Sequence, residues 1–106
     1  MDRFYKMARK LSFKSKYHGS NKRMAAIVVK GGSIISAEVN QEHKHAERRA
    51  IRPHADLEGA SVYVARSNGL ISKPCKECMD IILASGVAKI VYINASGNLV
   101  KEYIRR

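Results

Sequence analysis

His45-Ala46-Glu47 and, with its first cysteine thirty positions after His45, Pro74-Cys75-Lys76-Glu77-Cys78 give this chain one imidazole, two thiols and, in Glu47, a spare carboxylate. These are the parts of a hydrolytic zinc site. Three protein ligands leave the fourth tetrahedral position open for water, whereas a structural zinc site closes all four. Cys75 and Cys78 stand at i, i+3, so a helix starting there projects both sulfurs from one side of its first turn. The positive end of that helix suits the thiolate form, which is what binds metal. Glu47 lies too near His45 to be a comfortable second ligand from the same turn. Its better place is beside the water, where it can move protons.

Other uses of the same residues stay open at this point. A Cys-x-x-Cys also serves as a redox pair, but it then usually sits near a first βα unit and has no need of His45 and Glu47. A closed structural zinc site would want a fourth ligand, and His43 makes His43-Lys44-His45 available. His18 and His54 read as surface histidines.

The elements that must hold these groups follow from periodicity and turns. Phe4, Met7, Ala8 and Leu11 mark an apolar stripe over a helix from Asp2 to about Leu11. The segment from Phe13 to Arg23 is polar and basic, with Gly19-Ser20-Asn21 as a loop. Met24–Val29 reads as a buried strand, Gly31-Gly32 as a turn, and Ser33–Val39 as the second strand of a hairpin. A loop at Gln41–Lys44 leads into a helix from about His45 to Arg52, stopped near Pro53. Ala60–Ala65 is a third strand. Pro74 suits the first turn of a helix that runs to about Ser85, with Gly86 as its stop. Lys89–Ile93 and Leu99–Ile104 are the last strands, joined through Asn94–Asn98. A five-residue turn can only join antiparallel neighbours, because a parallel return needs a dozen or more residues. The order predicts an α/β fold with a central sheet and helices packed on its faces.

The chain has 106 residues, enough for one domain and one core. Residues 1–23 form a basic N-terminal segment and 24–106 the catalytic core. No apolar run approaches the roughly 18–20 residues that a membrane span needs. The first ten residues lack the apolar region and cleavage site of a secretory signal. Both cysteines belong to one Cys-x-x-Cys, so there is no disulfide framework, and a reducing, cytoplasmic setting is expected. Net charge is +11. It is uneven: Arg3, Lys6, Arg9, Lys10, Lys14, Lys16, Lys22 and Arg23 face Asp2 alone within the first 23 residues. Such a cluster attracts phosphates, on a polynucleotide or on a single nucleotide. It also reads as a solvated face.

His-x-Glu followed by Pro-Cys-x-x-Cys resembles the zinc-dependent cytidine and deoxycytidylate deaminase superfamily, with the likeness running from about residue 24 to 93. The resemblance implies a three-layer cytidine-deaminase-like fold with a five-stranded mixed sheet, its last strand here antiparallel to the fourth. It implies Zn2+ as cofactor, His45, Cys75 and Cys78 as ligands, and Glu47 as proton shuttle. The reaction it implies is the conversion of cytosine to uracil with release of ammonia. Asn40 falls where many relatives contact the sugar, and the Ala46 backbone N–H where they face the pyrimidine carbonyl. Arg66, Lys73 and Lys76 lie near the same ends, placed to meet a 5′-phosphate or simply solvated. Two departures stand out. Relatives often carry a glycine shortly before that asparagine, whereas this chain reads Ala37-Glu38-Val39-Asn40. The tight Asn94–Asn98 turn resembles free cytidine deaminases, yet those usually ligate zinc with three cysteines.

The expected substrate is cytidine, deoxycytidine or a monophosphate of either. The alternative is cytosine within single-stranded DNA or RNA, bound by the basic segment with Phe4, Tyr5, Phe13 and Tyr17 as stacking surfaces. A basic nucleic-acid-binding protein with structural zinc is the non-enzymatic reading. Relatives assemble as dimers or tetramers, which implies a homo-oligomer.

Overall fold

The computed structural model describes residues 2–15, 23–40, 46–51 and 57–104. Helix α1 spans Arg3–Ser12. Asp2 caps it, its carboxylate accepting from the Phe4 and Tyr5 backbone N–H groups at 2.8 and 3.4 Å. Arg9 and Lys10 in the last turn suit the negative end of the helix dipole. The buried face is Tyr5, Ala8 and Ser12, flanked by Phe4 and Leu11, while Met7 is 44% exposed. The expected stripe is therefore rotated. The large ring of Tyr5 is the side chain enclosed, and Met7 turns to solvent. An aromatic pair supports this orientation, with Phe4 lying 5.5 Å from the Tyr63 ring.

The strands are β1 Met24–Lys30, β2 Ser33–Val39, β3 Ser61–Arg66, β4 Lys89–Ile93 and β5 Leu99–Tyr103; the remaining helices are α2 Ala46–Ile51 and α3 Lys76–Ala84. Gly31 and Gly32 both adopt positive φ, 60° and 79°, the backbone that a two-residue hairpin turn demands. Helix α3 begins two residues later than the sequence suggests. Cys75 is its extended N-cap, so Pro74 stands outside the first turn. Gly86, at φ 92°, closes the far end as expected.

The sheet order is β2-β1-β3-β4-β5. β1 pairs antiparallel with β2 and β3, β3 parallel with β4, and β4 antiparallel with β5. The fold is thus α/β with a mixed sheet, and the last pair runs as the short turn requires. Asn94 organises that turn, its side-chain oxygen accepting from Ser96 and Asn98 N–H at 3.0 Å each. β1, β3 and β4 are apolar almost throughout because both faces are covered. Alternation sends Ala26, Val28, Val62, Val64, Ile90 and Tyr92 toward α2 and α3. Ile27, Val29, Tyr63, Ala65, Val91 and Ile93 face α1 instead. No helix among the described residues is long and apolar enough to cross a membrane.

Candidate active site

One end of the sheet gathers the chain segments that matter. Met24 pairs with Arg66 and Ala25 with Val39, so the start of β1 meets the ends of β2 and β3. The Asn40 N–H donates to Met24 O at 3.0 Å and the Ser67 N–H to Arg23 O at 2.9 Å, which seals this end. The chain leaves β2 for α2 here, and leaves β3 for α3 here. Both helices pack on the same face and touch each other. Their N-termini therefore start from the same end of the sheet.

Cys75 and Cys78 occupy the beginning of α3. Cys75 is exposed, while Cys78 is 3% exposed; no disulfide joins them. The Cys75 carbonyl accepts from Met79 N–H at 2.8 Å, which sets the first helical turn between the two sulfurs. Two soft sulfur donors from a single turn suit Zn2+. Among the described residues no set of three His, Cys, Asp or Glu side chains converges. His45, the third expected ligand, lies outside those residues, as do His43, His18, His54 and Tyr17. Its neighbour Ala46 opens α2 and is fully buried in the cluster that also holds Ile82 of α3. Glu47 belongs to α2, and its side chain is outside what is described.

Asn40 is 8% exposed and already engaged. Its Oδ1 accepts from the Met24 N–H at 2.9 Å and from the Ser15 hydroxyl at 2.7 Å. The same hydroxyl lies 3.0 Å from the Asn40 carbonyl, so its proton is shared between two acceptors. Asn40 thus ties the end of β2 to β1 and to the chain beyond α1. Replacing it with alanine removes the side-chain acceptor of the Met24 N–H and one acceptor of the Ser15 hydroxyl. The expected loss is about 1–3 kcal/mol of unfolding free energy. Urea denaturation of Asn40→Ala beside Asn40→Asp, which keeps an acceptor oxygen, measures it; an unchanged midpoint in the alanine variant would refute the tie.

Lys73 is exposed, standing between buried Ser72 and buried Pro74. Lys76 is exposed too. Arg66 is half-buried on the face shared with Val62 and Val64, and its Nε is enclosed without a hydrogen-bond partner. Sequence reasoning missed Ser15 and Ser72, whose buried hydroxyls bond to backbone in segments that read as plain loop.

The stacking residues of the polynucleotide reading are redistributed. Tyr5 is 1% exposed in the core, and burial pushes its phenol pKa up, an effect that Ser72 and Arg9 oppose. Phe4 is committed to Tyr63, and among the described residues of that set Phe13, at 56% exposure, is the open ring. Away from this end, Tyr92 is also raised, by burial and then by its 2.9 Å bond to Glu102.

The pattern described as the cytidine and deoxycytidylate deaminase zinc-binding region matches residues 1–94. The chain belongs to that family. Zinc is accordingly the cofactor of this deaminase domain. Its backbone is similar to RibD of Acinetobacter baumannii, with a TM-score of 0.63 and 20% identity over 82% of this chain and 26% of that one. It is similar as well to the dCMP deaminase of cyanophage S-TIM5, solved with dCMP and dUMP, at TM-score 0.60 and 22% identity, covering 85% and 81%. A Thermotoga maritima diaminohydroxyphosphoribosylaminopyrimidine deaminase/5-amino-6-(5-phosphoribosylamino)uracil reductase reaches 30% identity and TM-score 0.61, covering 90% and 31%. The deaminase domain thus spans about a quarter to a third of the RibD and deaminase/reductase chains it resembles. No curated protein matches it.

Proposed function

We propose that this domain hydrolyses the amine from cytosine in a free nucleoside or its monophosphate, giving uracil and ammonia. The reading rests on one observation above all. Two cysteines three positions apart begin α3 at the sheet end where α2 also begins, directly after His45. His45, Cys75 and Cys78 would hold the zinc. When bound, zinc supplies a Lewis acid that makes water nucleophilic at neutral pH.

The chain's own residues carry the rest. Glu47 takes a proton from the attacking water and passes it to the ring nitrogen of the base. It then takes the second proton of that water, now on the new hydroxyl of the ring carbon, and delivers it to the departing amine as the C–N bond breaks and the carbonyl forms, so one water is consumed and one ammonia released. The Ala46 N–H orients the pyrimidine carbonyl, and Asn40 and Lys73 stand on the sugar and phosphate side. The buried state of Tyr5 removes support from the polynucleotide alternative. The similar cyanophage deaminase was solved with dCMP and dUMP, and the Thermotoga maritima protein is a phosphoribosylaminopyrimidine deaminase, which agrees with a small substrate.

The test is ammonia release from cytidine, deoxycytidine, their monophosphates and a cytosine-containing single-stranded oligonucleotide. Turnover of one of the small substrates is expected to dominate. Dominant turnover of the oligonucleotide, or none with any cytosine substrate, would overturn the reading.

A further inference from the structure

Ser72 sits where β3 and β4 part. Their parallel ladder runs only from Ser61 opposite Lys89 to Tyr63 opposite Val91. Past that point Ser72 stands in for the missing rungs. Its hydroxyl donates to Val64 O at 2.7 Å, and the same oxygen accepts from the Ile93 N–H at 3.0 Å. Its own N–H donates to Ile93 O at 2.9 Å. With 1% exposure, the side chain satisfies backbone groups that water cannot reach. The preceding Leu70 and Ile71 are 59% and 41% exposed, so Ser72 is a firm hold on this loop close to the cysteines.

Only Lys73 and Pro74 separate that hold from Cys75. The proline ring fixes its own φ and confines Lys73 to extended backbone. Pro74 is itself buried. A tether this short and stiff passes the position of Ser72 to Cys75, and the first turn of α3 passes it to Cys78.

We propose that Ser72 is a positioning residue for the metal-binding cysteines, fixing the start of α3 relative to the sheet through its hydroxyl. The proposal rests on the reading of Cys75 and Cys78 as zinc ligands. Its test is the zinc dissociation constant, measured by competition with a chromophoric chelator, together with the thermal midpoint of the metal-free protein. Wild type is compared with Ser72→Ala, Ser72→Thr and Tyr92→Phe; the last loses a hydroxyl bonded to Glu102 on the β4–β5 pair. Ser72→Ala is expected to weaken zinc binding about tenfold or more, the usual effect of losing a group that orients a ligand. Ser72→Thr, which keeps the hydroxyl, restores most of the affinity, and Tyr92→Phe leaves it at the wild-type value. A Ser72→Ala protein with a lowered thermal midpoint and wild-type zinc affinity overturns the proposal, because the hydroxyl is then merely structural. Where Ser72→Ala does not fold, Ser72→Thr and Ser72→Val, alike in shape, carry the comparison, and equal affinity overturns it. Wild-type protein that binds no zinc sinks the ligand reading too, which separates that failure from this one.

Discussion

Glu47→Ala is expected to retain one zinc per chain while ammonia release falls by at least about 10²-fold, the lower end of what a positioned acid–base group supplies. The two halves of this result come from different residues. In the proposed site metal retention depends on His45, Cys75 and Cys78, none of which changes. Turnover in that proposal depends on a carboxylate that can take and return protons within one catalytic cycle. Glu47→Gln keeps the shape and removes the basicity, so it should be as slow as the alanine variant. Metal analysis beside an ammonia assay decides the matter. Activity in Glu47→Ala near that of wild type would remove the glutamate from the mechanism.

The second large effect belongs to Cys78. It is 3% exposed in the first turn of α3 and packs beside a fully enclosed core, so it is not a surface thiol open to casual exchange. Cys78→Ala removes one of the three proposed ligands, and zinc should be lost on dialysis, with turnover falling to background. Stability falls as well, because zinc that binds only the folded chain adds about 2.7 kcal/mol when present at a hundred times its dissociation constant. The zinc-dependent part is separable. Wild type should melt higher with added zinc, and Cys78→Ala should melt at the same temperature with or without it. One zinc per chain in dialysed Cys78→Ala would show that the metal is held elsewhere.

Much of the architecture was legible in the sequence because turns and lengths constrain it strongly. Gly31-Gly32 announces the first hairpin, and five residues from Asn94 to Asn98 leave no room for a parallel return. Helix α1 was legible as an element but not in its facing, since Tyr5 and Met7 both fit an amphipathic pattern and only packing against Tyr63 and its neighbours chooses between them. The cysteine pair was legible from spacing. The ties that locate it were not, because Ser72 and Ser15 act through single hydroxyls on backbone atoms distant in sequence. Such contacts leave no periodic trace. Asn40 shows the same limit from another side: its position drew attention, but its bonds to Met24 and Ser15 arise only once the strands are paired.

The sheet order has a kinetic corollary. β1–β2 and β4–β5 are neighbours in sequence, so each rim can zip locally at little loop-closure cost. β3 must bring β1 and β4 together from far along the chain, and pairings of such high contact order are slow. Refolding should therefore be paced by the middle of the sheet. Val64→Ala in β3 is expected to slow refolding in stopped-flow traces, whereas Val100→Ala in β5 mainly speeds unfolding; the reverse pattern would place the nucleus at the rim.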